Sequence, residues 1–170
     1  MEEVRAIVAD VRQRGDVALR DMTARFDGAE LEAIRVDPTE VAAAPDRVQP
    51  EVLAALEVAA EAVRRHHVGQ VRPERRTEED GLVIRSLSRP VERVGCYAPG
   101  GRAAYPSTVL MTAVPAQVAG VDEVGLCVPP GVDGRIADVT LAAAAVAGVD
   151  AVYAVGGAQA VAAMAYGTET

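Results

Sequence analysis

Apolar positions in the first 70 residues recur with the period of helices. Val4, Ile7, Val8 and Val11 follow the i, i+3, i+4, i+7 spacing of one helical face. Gly15-Asp16 interrupts that run, and Val17, Leu19, Met22 and Phe26 resume it toward Asp27-Gly28. The segment DPTEVAAAPDRV predicts a short helix between turns. Another helix is predicted from about Pro50, since proline is tolerated in a first turn, with Leu53, Leu56, Ala60 and Val63 as its buried stripe. Together with the charged connection RRHHVGQVRPERRTEEDG, these elements form a helical arm and linker over residues 1–80. The apolar stripes have two possible covers, the sheet of the same chain or a second subunit.

The pattern changes over residues 81–170. GLVIRSLSRPVERVGCYAP predicts strands at Leu82–Ser88 and Glu92–Ala98, separated at Pro90. A unit of strand, short Gly/Pro turn and Ala-rich helix then repeats. VERVGCYAP precedes a helix near Thr108–Ala119, DEVGLCVPP one near Arg135–Ala147, and DAVYAVGG one near Ala158–Tyr166. Such alternation indicates right-handed βαβ units and a parallel sheet. The short, nearly uninterrupted apolar strands suit a sheet covered on both faces. The predicted class is α/β: a helical N-terminal arm followed by an incomplete Rossmann-like parallel-sheet layer domain.

Composition narrows the chemistry. Half of the 170 residues are hydrophobic but only 3% are aromatic, so Ala, Val and Leu must fill the core. A net charge of −8 argues against nucleic acid or an anionic membrane as the main partner. No apolar run approaches the ~18 residues of a membrane span, and MEEVRAIVAD lacks the features of a signal peptide, so a cytoplasmic protein is expected. All 17 basic residues are Arg, which removes a Walker lysine and a Schiff-base lysine. There is no Asn.

Few groups capable of chemistry remain. Gly100-Gly101 follows a predicted strand, at the end where open α/β sheets bind ligands. It reads either as a ligand-holding turn or as a plain βα turn capped by Ser107. Gly156-Gly157 has the same placement, with Gln159 in the following helical turn; taken alone, Gln159 reads as a surface polar residue. The run after this glycine pair is not GxGxxG, so a conventional dinucleotide motif is missing. His66 and His67 are adjacent, project in different directions, and make a poor metal pair. Cys96 and Cys127 lie far apart and read as buried strand cysteines, with a nucleophilic Cys96 as the rival.

VGCYAPGGRAAYPSTVLMTAVPAQVAGVDEV and AAAAVAGVDAVYAVGGAQAVAAMAYGTET closely resemble histidinol dehydrogenases, as does the early IVADVRQRGDVALRDMTARFDG. The resemblance implies a homodimer that oxidises L-histidinol to L-histidine through histidinal, using two NAD and one zinc per site. It implies that a tyrosine of GxYxPGG and a glutamine of VGGAQA contact NAD, and these match Tyr97 and Gln159. The family's zinc ligands, its Glu-His acid–base pair and a further NAD-contacting asparagine belong to sequence following Thr170. No catalytic or metal-binding residue is therefore expected here, and the chain alone is expected to be inactive. The alternative is a short non-catalytic paralogue that binds a nucleotide or pairs with another subunit.

Overall fold

A computed structural model describes residues 2–100 and 103–170. Helices α1 (Glu2–Arg14) and α2 (Asp16–Asp27) come first, divided at Gly15. Next are α3 (Pro38–Ala43) with a 3-10 turn at Ala44–Arg47, and α4 (Pro50–Val68). The strands and remaining helices follow as β1 (Arg75–Glu79), β2 (Leu82–Ser86), β3 (Arg93–Tyr97), α5 (Pro106–Val118), β4 (Glu123–Val128), α6 (Asp138–Ala147), β5 (Ala151–Ala154) and α7 (Gly157–Tyr166). Helix starts follow local chemistry. Asp37 caps α3 by accepting from the Thr39 N–H at 2.8 Å, and proline occupies the first turn of α3, α4 and α5.

The central sheet is parallel in the order β3-β4-β5, as the alternating pattern predicts. Its register sets the layers. Cys96, Leu126 and Val152 lie side by side, and one residue on so do Tyr97, Cys127 and Tyr153. Because strand side chains alternate between faces, these two rows point opposite ways. The first row packs with Leu56 and Ala60 of α4, Val109 and Leu110 of α5, and Leu141 of α6. The second packs with Val11 of α1, Leu19 and Met22 of α2, and Ala160 of α7. The helices of the first 70 residues thus bury their stripes within this chain, on both faces of its sheet. The outer edge of β5 is also covered: Val36 N donates to Val152 O at 2.9 Å and Ala154 N to Ile34 O at 2.7 Å.

Several local expectations change. The charged connection, read as solvated linker, contains β1, which pairs antiparallel with β2. Asp80 and Gly81, at φ 51° and 78°, close this hairpin with the two left-handed residues of a type I′ turn. Both strands are exposed, so charge and hairpin geometry coexist without burial. Val4, Val17 and Phe26 are exposed although the helical spacing places them on stripes. Ser107 does not cap α5; Tyr105 holds the N-cap position without a side-chain bond.

Candidate functional site

The carboxyl ends of β3, β4 and β5 meet at Pro129. A Cβ on Gly100, after β3, would stand 2.7 Å from the Pro129 carbonyl oxygen. A Cβ on Gly156, after β5, would stand 2.5 Å from Pro129 Cγ. Neither distance is one a real Cβ tolerates, so both glycines permit contact between backbone turns. Of the pair Gly100-Gly101, Gly101 lies outside the described residues.

Tyr97 ends β3, and its hydroxyl accepts a hydrogen bond from the Gly157 N–H at 3.3 Å. The phenol thus spans β4 to reach the first residue of α7, two strands away. Gly157 has φ 65°. Gln159 is 2% exposed, not a surface residue. A Cβ on Gly157 would meet its Oε1 at 2.6 Å, so the amide folds back against the turn that Tyr97 engages from the other side. The two residues matched to NAD contacts therefore converge on one turn. Spacing along the chain cannot show this, because they are 62 positions apart.

Two clefts open beside Gly100. One of about 640 Å³ is lined by Arg47, Pro129, Arg135 and the start of α6. Its cations are already engaged: Arg47 Nε donates to Asp138 at 2.7 Å, and Arg135 lies 3.5 Å from Glu40. The other, about 560 Å³, is lined by Phe26, Asp27, Pro99, Tyr105, Pro130 and Val132. Asp27 Oδ2 and the nearby Thr23 Oγ1 are buried without hydrogen-bond partners among the described residues. Burial raises the Asp27 carboxyl above its ordinary range. The sequence contained one signal for Asp27, an acidic residue in a last helical turn, where the macrodipole favours cations.

The remaining candidates do not join this site. Gln70 Nε2 donates to His66 Nε2 at 3.1 Å, and His67 Nδ1 donates to Gln70 Oε1 at 2.7 Å, so one glutamine engages both imidazoles. Among the described residues no group of three or more His, Cys, Asp or Glu is placed to hold a metal. Cys96 and Cys127 are buried, and burial pushes both thiols up, Cys127 to about 12. Neither is a thiolate at neutral pH, which disfavours a nucleophilic Cys96.

A parallel sheet clad on both faces, with its turns gathered at the strand ends, defines the class as a layered α/β protein. Comparison with known proteins places it further. The family model described as histidinol dehydrogenase matches residues 1–170. The histidinol dehydrogenase of Methanosarcina mazei is 49% identical over 99% of this chain, and that of Heliobacterium mobile 52% over 97%. The crystal structure of histidinol dehydrogenase from Elizabethkingia anophelis superposes with a TM-score of 0.93, at 38% identity over 99% of the chain. The chain belongs to the histidinol dehydrogenase family, a family of oxidoreductases. It spans 40%, 39% and 39% of the lengths of these three relatives. Among the described residues no helix is long and apolar enough to cross a membrane.

Proposed function

We propose that this chain supplies the NAD-binding side of a histidinol dehydrogenase, which oxidises L-histidinol to L-histidine through histidinal. The observation that carries this reading is the contact of the Tyr97 hydroxyl with the Gly157 N–H, above the buried Gln159. The residues present suit a dinucleotide. Gly100 and Gly156 let the turns after β3 and β5 close tightly on Pro129, and a cleft of about 560 Å³ lined by Phe26, Pro99 and Tyr105 opens beside them. NAD, when bound, supplies the hydride acceptor. Tyr97 and Gln159 shape the turn on which it rests.

Zinc is a different matter. The described residues hold no cluster that suits it, so no step of the oxidation is assigned to a metal held by them. Oxidising an alcohol also needs a group to take the hydroxyl proton, and His66 and His67 lie on α4, away from the strand ends. This chain is therefore expected to bind NAD without oxidising histidinol by itself.

Assembly as a homodimer belongs to the same proposal. The β1–β2 hairpin exposes Leu82, Val83 and Ile84, with Leu87 and Val91 exposed just beyond it, a cluster suited to a second copy. A cytoplasmic location fits a biosynthetic enzyme with this acidic composition. The test is calorimetric titration of NAD into the chain, together with NADH formation from L-histidinol in the presence of zinc. Binding without turnover is expected. Absence of binding at millimolar NAD overturns the cofactor reading, and turnover overturns the assignment of the chemistry to other residues.

A further inference from the structure

Every residue of β1 and β2 is exposed, and among the described residues no strand pairs with the outer edge of β1. A lone two-stranded hairpin is only marginally stable in water, and its edges present unpaired backbone groups. The register fixes which groups those are. Glu79 and Leu82 flank the two-residue turn, so the hydrogen-bonded pairs alternate as Glu79–Leu82, Thr77–Ile84 and Arg75–Ser86. The N–H and C=O of Arg76 and Glu78 therefore point away from β2, along the free edge.

Scattered charge normally blunts such an edge. The charges of β1 are sorted instead: the strand reads RRTEE, basic before Thr77 and acidic after it. A strand of this kind is its own antiparallel complement. When two copies meet with Thr77 opposite Thr77, Arg75 faces Glu79 and Arg76 faces Glu78 on both sides of the centre, and the outward backbone groups match. Sliding the pairing by two residues sets Arg76 against Arg76 or Glu78 against Glu78, which is destabilising.

The side chains are available for this. Arg75 and Glu79 form no salt bridge among the described residues. Arg76 and Glu78 bond each other at 2.9 Å, and two such couples placed head to tail make a square of alternating charge. Glu74 and Asp80 come next and are both acidic. Glu74, however, already accepts from Arg85 Nε at 2.6 Å, and Asp80 leaves the strand at φ 51°.

We propose that β1 is a self-pairing edge that joins two copies of this chain, in antiparallel register about Thr77, into one four-stranded sheet of order β2-β1-β1-β2. The two-fold axis runs through the paired Thr77 residues perpendicular to the sheet, so Leu82 and Ile84 of both copies share one of its faces. This rests on the homodimer reading above and gives that dimer a register.

The experiment measures dimerisation of the chain by sedimentation equilibrium, with circular dichroism to check folding. The samples are wild type, Arg75→Glu/Arg76→Glu, Glu78→Arg/Glu79→Arg, and an equal mixture of the two variants. Each variant alone sets like charges opposite each other, and its dimer should dissociate on the order of tenfold more readily than that of wild type. The mixture should associate again, because each acidic strand then meets a basic one. Thr77→Cys should also be linked between copies by mild oxidation, since a close antiparallel pair holds its Cα atoms about 4.5 Å apart, within disulfide range. Ser86→Cys, on the outer strand, should not. A wild-type dimer that persists equally in both variants overturns the pairing and leaves the homodimer reading standing. Wild type that stays monomeric overturns both. Folded variants that fail to associate on mixing overturn the pairing too. If a charge variant does not fold, the Thr77→Cys link decides: its formation supports the register and its absence overturns it.

Discussion

The Tyr97 hydroxyl accepts a hydrogen bond from the Gly157 N–H at 3.3 Å, joining the end of β3 to the start of α7 across the intervening β4. An N–H in the first turn of a helix has no intrahelical acceptor. Tyr97 supplies one from a distant part of the chain, at the carboxyl end of the sheet, the end where open α/β sheets as a class bind ligands.

Replacing Tyr97 with Phe deletes that bond and little else. The residue is half-buried, so the loss of stability should stay within about 1 kcal/mol, measured by urea unfolding. Affinity for NAD should fall several-fold in a parallel titration. Unchanged affinity would remove Tyr97 from the binding surface.

Gly156→Ala should destabilise by about 1–3 kcal/mol, because its new Cβ would press within 2.5 Å of Pro129 in a packed turn. Its φ of −120° is ordinary, so the effect is steric and not conformational. Gly69→Ala is the control. Its Cβ would meet nothing closer than 3.6 Å at a right-handed helical φ, and the change should be neutral or slightly stabilising.

The two thiols should resist modification in the native protein at pH 8 and react fully in denaturant, as followed with a chromogenic thiol reagent. Cys127 also makes stability depend on alkaline pH. Burial, with a smaller contribution from Cys96, raises its folded value from 9.0 to about 12. Between those values the unfolded chain gives up the proton and the folded chain keeps it, so unfolding gains. Stability should fall from about pH 9 to pH 12, and Cys127→Ala should lessen the slope.

Asp16 titrates in the opposite sense. Burial works to raise its carboxyl, but hydrogen bonds from Thr170 and Thr168 outweigh it and leave the net shift downward. Its own N–H donates to Glu169 at 2.8 Å. With a lowered folded value, its contribution is present above the ordinary 3.8 and is lost as pH falls through the folded value. Asp16→Asn should therefore lower the melting temperature at pH 7, with the difference from wild type shrinking below about pH 4.

Elements with a strong local signature were legible from the sequence. The period of α1 and α4, the prolines that open α4 and α5, and the apolar runs of β3, β4 and β5 all express local chemistry. The β1 strand was not, because RRTEE carries no apolar pattern; the Asp80-Gly81 turn was its only sign. Tyr97 and Gln159 were singled out through family resemblance and not through spacing. Asp27 was read only as the end of a helix, although its position opposed the helix dipole.

The sequence by itself determined the order of the elements, the parallel α/β class and the family, since each follows from periodicity, turn residues or extended motifs. Only the tertiary structure decided which face each helix covers, that Gln159 is buried, that Tyr97 reaches Gly157, and that Asp27 Oδ2 is buried with no partner among the described residues. The physical reason is that burial and pairing depend on residues distant in the chain. A local pattern records which groups a residue carries, and the packed sheet determines whether anything meets them.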